Sequence, residues 1–137
     1  MSRSGYSEDM ENNWELICWR GAVASAIRGK RGQEFLRSML SALDAMPEKR
    51  LIEGDLERDG DVCAIGSVGK MRGIDMSTID PEDYDGVAKA FGISPALARE
   101  IECVNDEWLS YRATPEQRFE CVRKWVVEQL PSEKATA

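Results

Sequence analysis

The sequence of 137 residues contains no histidine. Histidine is the side chain whose ordinary pKa lies closest to neutrality, so its absence removes Ser-His and Cys-His nucleophile pairs and the usual general base. The four cysteines, Cys18, Cys63, Cys103 and Cys121, lie far apart along the chain. A zinc site needs paired spacings such as C-x-x-C. We therefore expect no metal site, no cofactor, and reduced thiols buried as small apolar side chains.

The sequence also lacks a long hydrophobic run. A transmembrane helix needs about 20 predominantly apolar residues, and the longest apolar run here is far shorter. Residues 1–11 are polar and acidic, unlike a signal peptide or a transit peptide. These absences predict a cytoplasmic protein that makes no membrane contact.

What the sequence does contain is a strong helical pattern within a length that suits one domain. Apolar residues recur at three- and four-residue steps, and capping residues such as Thr114 and Ser94 precede them. The pattern predicts an all-α bundle of five or six helices over residues 14–130, with one small β-hairpin near residues 51–63. Residues 1–13 are predicted to be a flexible lead-in, and residues 131–137 a flexible tail. The helices are expected over residues 14–28, 33–46, 62–72, 80–91, 94–108 and 114–130.

Two stretches look like ligand-binding loops but lack residues that the chemistry needs. Residues 55–60 begin like an EF-hand calcium loop, yet Gly66 occupies the position of the bidentate glutamate and Arg58 adds a cation. Residues 66–70 (GSVGK) look like a phosphate-binding loop, yet Met71 follows the lysine where magnesium binding needs Ser or Thr. We interpret the first as an acidic turn and the second as the start of a helix.

Residues 87–101 resemble a DNA-binding helix-turn-helix. Gly92 would form the turn, Ser94 would cap the second helix, and Ile93, Ala98 and Ile101 would be buried. A recognition helix needs cations or amides near its start. The second helix offers one arginine among several acids, so a structural turn is the preferred interpretation and a DNA reader the alternative.

Charge is unevenly distributed in this chain of formal net charge −7. Residues 20–37 carry five bases against one acid, and residues 80–110 carry eight acids against two bases. The first stretch predicts a basic region that would contact an anion, RNA or an acidic protein, unless it pairs with the chain's own acids. Its members are Arg28, Lys30, Arg31 and Arg37. The second predicts an acidic face made of Asp80, Glu82, Asp83, Asp85, Glu100, Asp106 and Glu107.

The four tryptophans are predicted to fill the core. The first helix has apolar residues on two sides, so Trp14 or Trp19 would otherwise serve to anchor a partner. The carboxylates cannot be paired into an acid–base site from the sequence, and no catalytic residue is predicted.

Four short motifs carry a resemblance to a known family. They are WRGAV at residues 19–23, RGKRGQ at residues 28–33, LDAMPEKRLI at residues 43–52 and GIDM at residues 73–76. With these motifs the chain resembles, over residues 5–129, a family of uncharacterised proteins from tailed phages and prophages of Proteobacteria. The resemblance implies a phage-encoded accessory protein in the cytoplasm of the bacterial host. It implies no activity, and hence no catalytic residue.

The leading hypothesis is therefore a non-enzymatic binding protein that engages a host or phage macromolecule. A protein partner is favoured. The acidic face would occupy a nucleic-acid-binding groove on that partner, as an inhibitor of host defence would. The alternative is a nucleic-acid-binding regulator that uses the basic region and the turn at Gly92. The oligomeric state stays open, and an enzyme with a carboxylate site is a third option.

Overall fold

The computed structural model describes residues 13–110 and 112–130, and side chains from Cys18 onward. This part of the chain forms six α-helices, one 3₁₀ turn and one two-stranded antiparallel sheet. The predicted all-α bundle with a small hairpin is confirmed. The predicted lead-in and tail lie outside the described residues, except for Asn13, which begins the first helix. The elements are α1 (Asn13–Arg28), α2 (Lys30–Ala45), β1 (Glu57–Arg58), β2 (Asp61–Val62), α3 (Ala64–Arg72), the 3₁₀ turn (Met76–Thr78), α4 (Tyr84–Phe91), α5 (Pro95–Glu107) and α6 (Pro115–Gln129).

A single residue, Gly29, separates α1 from α2, so the predicted break between these helices is shorter than expected. Gly32 lies in the first turn of α2 rather than in a loop. A Cβ atom on Gly32 would lie 1.9 Å from the carbonyl oxygen of Ala26, which means that the two helices cross at near-contact distance. The Gln33 Nε2 group donates to the carbonyl of Ile27 at 2.7 Å and to that of Gln129 at 3.0 Å. This amide fixes the end of α1 against the end of α6.

The core lies around α5, which contacts α1, α3, α4 and α6. α2 packs between α3 and α6, and its predicted apolar stripe is buried. An edge-to-face contact between Phe35 of α2 and Phe91 of α4, with ring centroids 6.2 Å apart, joins these two helices. An ion pair between Arg123 Nε and Asp44 Oδ1 at 2.7 Å links α6 to α2 at the surface.

The hairpin forms at the predicted dipeptide. Asp59 and Gly60 both have positive φ angles, +54° and +86°, as a two-residue type I′ turn requires. The turn pairs Arg58 with Asp61 across the two strands. Residues 55–60 therefore form a hairpin rather than a calcium loop.

A buried polar network fastens the hairpin segment to the helices. The Asn105 Oδ1 atom accepts from the backbone N–H of Ala64 at 2.9 Å, and its Nδ2 group donates to the carbonyl of Ile52 at 2.9 Å. Arg118 of α6 donates through Nε to the carbonyl of Asn105 at 2.9 Å. Buried polar groups must find such partners, and here the partners hold three chain segments together.

The start of α4 differs from the prediction. The sequence places an N-cap at Asp80, but the helix begins at Tyr84 and its N-cap is Asp83, which accepts from the backbone N–H of Gly86 at 3.1 Å. Asp80 caps a separate turn instead, accepting from the backbone N–H of Glu82 at 2.9 Å. Both aspartates have the same capping chemistry, so local sequence does not distinguish them.

Gly66 allows α3 to pack against the hairpin segment, and its substitution tests that contact. A Cβ on Gly66 would lie 2.0 Å from the carbonyl oxygen of Leu56, whereas a Cβ on Gly21 of α1 would meet nothing within 4 Å. Both glycines are helical, so Gly21→Ala should raise stability by about 0.5–1 kcal/mol. We expect Gly66→Ala to lower the free energy of unfolding by about 2 kcal/mol or more in urea titrations, because backbone must shift. Equal effects of the two variants would contradict the close packing.

Candidate functional site

The basic region predicted from the sequence surrounds the junction between α1 and α2. Arg28 ends α1, Lys30 and Arg31 open α2, and Arg37 lies two turns further along α2. All four side chains are exposed. Within the described part of the chain, none of the four has a carboxylate oxygen within 4.0 Å. The predicted alternative, that these cations pair with the chain's own acids, is therefore not what the described residues do.

Arginines elsewhere do pair with acids. Arg50 Nη2 lies 3.0 Å from Asp61 Oδ1, and Arg58 Nη1 lies 2.7 Å from Asp55 Oδ2. The hydrogen bond that Asp44 accepts from Arg123 holds the pKa of the Asp44 carboxyl below its usual value. Acids thus pair with arginines in several places, whereas no acid of the described residues pairs with the basic region.

A groove adjoins the basic region. It lies between α1 and the middle of α5, with the last residue of α6 also in its lining, and has a volume of about 530 Å³. We call it the α1–α5 groove. Its lining includes Trp19, Arg20, Ile27 and Arg28 from α1, Glu100 and Cys103 from α5, Trp108, and Gln129. The groove therefore combines aromatic and aliphatic surface with two guanidinium groups on one wall.

Trp108 corrects the prediction that all four tryptophans fill the core. Its side chain is 53% exposed, whereas Trp125 is buried. The stripe of Leu97, Ile101 and Val104 continues to position 108 by spacing, but α5 ends at Glu107, so Trp108 lies beyond the buried stretch. The side chain of Trp14 lies outside the described set. An exposed tryptophan is the kind of residue that dominates binding energy at protein interfaces.

Arg99 is the feature that sequence reasoning missed most clearly. Its side chain is only 3% exposed. The guanidinium carbon lies 4.7 Å from the ring centroid of Trp19 and 4.5 Å from that of Tyr84, and Nη1 contacts the Tyr84 hydroxyl at 3.3 Å. A guanidinium group between two aromatic faces is a favourable, desolvated cation–π arrangement. It fixes the orientation of Trp19 at the groove wall.

The turn at Gly92 has the predicted geometry. Gly92 has φ +71° and ends α4, and Ser94 caps α5 by accepting from the backbone N–H of Leu97 at 3.2 Å. A recognition helix must present its first residues to base edges. Here four consecutive residues of that first part of α5 are buried, namely Ala96, Leu97, Ala98 and Arg99. The turn therefore packs the first part of α5 into the core, and these four residues are not available to contact base edges.

The residues predicted to form one acidic face lie in three separate places. Asp80, Glu82, Asp83 and Asp85 are exposed at and before the start of α4, where two of them cap backbone N–H groups. Glu100 lines the α1–α5 groove. At the far end of α5, Asp106 accepts from the backbone N–H of Gly54 at 3.3 Å, and Glu107 is exposed.

The thiols of Cys18, Cys63 and Cys121 lie in different surroundings. Burial raises the pKa of the Cys121 thiol, which lowers its thiolate fraction. Cys63 is buried, and its Sγ accepts from the backbone N–H of Gly66 at 3.4 Å. Cys18 is exposed, contrary to the prediction of buried thiols. Over residues 13–110 and 112–130, no group of three or more Cys, Asp or Glu side chains is arranged to hold a metal ion.

Comparison with known proteins found no matching family model, no similar curated protein and no similar solved structure. Among the described helices, none has the length and apolarity needed to cross a bilayer.

The Arg99 stack yields a prediction about how the groove wall is held. Arg99→Lys keeps the charge but replaces a planar group that fits between two rings with a compact ammonium. We expect a loss of about 1–3 kcal/mol in the free energy of unfolding. Arg37→Lys, at an exposed position without an ion pair, should change it by less than about 0.5 kcal/mol. Denaturant titrations followed by circular dichroism would measure both, and matching values would contradict the role given to Arg99.

Proposed function

We propose that this chain is a non-enzymatic binding protein whose basic region engages a negatively charged surface on a host or phage macromolecule, with a protein as the favoured partner. One observation carries the proposal. In a chain with 25 acids and 18 bases, Arg28, Lys30, Arg31 and Arg37 are exposed without a carboxylate partner in the described residues. Exposed charge of one sign at one place attracts and orients a partner of opposite sign.

The phage setting of this proposal rests on the resemblance of the four motifs alone. A phage-encoded accessory protein would meet its partner in the bacterial cytoplasm, and inhibition of host defence is the role proposed for it there. The non-enzymatic character is supported by a sequence without histidine, which lacks the usual general base.

The acidic face supports the binding role less directly than the basic region does. Asp80 and Asp83 cap backbone N–H groups, and Asp106 accepts from Gly54, so three of the seven acids have structural roles in the fold. The group at residues 80–85 is the part of this face that would meet a basic partner. We keep it as the second surface of the same binding protein.

A charge-reversal experiment tests the basic region. Lys30→Glu/Arg31→Glu should abolish capture of the partner by the tagged full chain in a lysate of host bacteria, because two attractive contacts become repulsive. Lys89→Glu/Lys124→Glu is the matched control: the charge change is the same, and both positions are exposed away from the junction. Quantitative mass spectrometry compares the retained proteins. Identical sets from both variants would refute a role for the basic region.

A nucleic acid is the second candidate partner, favoured by the same four cations, which have no carboxylate partner among the described residues. Each phosphate contact on duplex DNA contributes about 0.9 to the slope of log K against log salt. A gel shift with duplex DNA and with single-stranded RNA separates the two candidates. We expect no shift at physiological ionic strength. A shift that weakens steeply with salt and disappears in Arg28→Ala/Lys30→Ala/Arg31→Ala would replace the protein partner with a nucleic acid.

A further inference from the structure

The α1–α5 groove has the composition of a protein-binding site. Trp108 and Met71 are the large hydrophobic side chains most exposed in the described part of the chain, at 53% and 50%. Trp108 lies in the groove beside Ile27, and Arg20 and Arg28 line the same cleft. Tryptophan and arginine are the residues most enriched among those that dominate interface energies.

The groove is also held in shape before any partner arrives. Arg99 fixes the ring of Trp19 on one wall, and Gln33 ties the end of α1 to the end of α6 beside Gln129. A site whose walls are already ordered loses less conformational entropy when it binds.

Charge indicates what the groove accepts. Arg20 and Arg28 lie on the α1 wall, have no carboxylate within 4.0 Å among the described residues, and are eight residues apart on one helix, about 12 Å by its rise. Glu100 lies on the α5 wall. A nucleic acid strand would bring a phosphate charge at every nucleotide, whereas a peptide can place carboxylates only where the two guanidinium groups lie.

We propose that the α1–α5 groove binds an acidic segment of a partner protein, with an apolar side chain against Trp108 and flanking carboxylates on Arg20 and Arg28. This deepens the proposed function, on which it rests, by naming the partner's chemistry. Residues 1–12 and 131–137 of this chain, a second copy, or a nucleic acid are the other candidate occupants.

The probe is a fluorescein-labelled peptide of three Glu-Ser-Leu-Ser repeats ending in Glu. Its carboxylates are about 13 Å apart over one repeat if extended and about 12 Å apart over two repeats if helical, so either conformation reaches both arginines. The control probe has Gln in place of every Glu. Fluorescence anisotropy with the full chain measures both affinities, and a ten-nucleotide oligouridylate serves as a competitor.

We expect the acidic probe to bind about tenfold or more tightly than the Gln probe, and Arg20→Glu and Trp108→Ala each to weaken it by about tenfold. Lys89→Glu and Met71→Ala are the matched controls and should leave the affinity unchanged. Both groove positions are exposed, so circular dichroism should show intact folds. No binding of the acidic probe, or equal affinity for the two probes, would refute the proposal.

The other occupants give distinct results that would also overturn it. Oligouridylate that binds more tightly than the peptide assigns the groove to nucleic acid. A dimer that dissociates in Trp108→Ala, seen by light scattering, assigns it to a second copy. Cross-links to residues 1–12 or 131–137 from a benzophenone attached to Cys103 in a Cys18→Ser/Cys121→Ser variant assign it to the chain itself.

The two proposals fail separately. Partner capture that is lost in Lys30→Glu/Arg31→Glu but kept in Arg20→Glu and Trp108→Ala would refute the groove and leave the basic region. Peptide binding that depends on Trp108, together with partner capture that is unchanged in Lys30→Glu/Arg31→Glu, would refute the role of the basic region and leave the groove.

Discussion

The burial of polar side chains on α5 is the constraint on which the rest of the structure depends. Arg99, Glu102 and Asn105 are all buried on this one helix. A buried polar or charged group is costly unless its surroundings compensate it. Arg99 therefore needs the rings of Trp19 and Tyr84, which fixes α1 and α4, and Asn105 needs the backbone of the hairpin segment. The positions of α1, α4 and the hairpin segment relative to α5 thus follow from the needs of two side chains.

Placing α5 at the centre decides which surfaces are free to act. A helix covered on several sides cannot enter a DNA groove, so the turn at Gly92 joins two core helices and does not present one. The junction of α1 with α2 and the groove beside it are among the surfaces that this arrangement leaves outside the core. Among the described side chains of α1, residues 18–28, only Val23 is fully buried, and the others are partly or largely exposed.

Much of the fold could be predicted because the signals are local. The capping box at Thr114 and Gln117, the turn at Asp59 and Gly60, and the apolar stripe of α2 each depend on residues within one or two turns. Prediction fails where two neighbouring residues could form the same cap, as Asp80 and Asp83 could at the start of α4. It also fails at the end of α5: the apolar spacing continues to Trp108, but the helix ends one residue earlier.

The glycines of α3 show a second reason why structure cannot always be predicted from local sequence. Gly66 and Gly69 have low helix propensity, so propensity alone would argue against a helix here. In the structure, a Cβ on either residue would collide with Leu56 or Met76, so both glycines are there for close packing. That reason involves a residue seven to ten positions away and cannot be read from helix propensity.

The sequence predicts one part of the candidate site, the basic region, but not the other part, the α1–α5 groove. Clustering of bases over residues 20–37 is visible in the sequence, but whether each base has a carboxylate neighbour depends on contacts between distant segments. Arg123 finds Asp44 across 79 positions, whereas Lys30 and Arg31 find none in the described chain. The groove was not predicted, because it depends on the exposure of Trp108.

An unpaired surface cation is not informative by itself, since an exposed ion pair contributes only about 0–1 kcal/mol and its absence costs the fold little. What gives the basic region meaning is its position. Arg28 belongs both to the cations that have no carboxylate partner among the described residues and to the lining of a groove that exposes a tryptophan. In the proposed function, charge would attract a partner over a distance of about 10 Å, the screening length in dilute salt, and apolar contact would retain it once bound. The proposal needs these two features to lie next to each other, and they do.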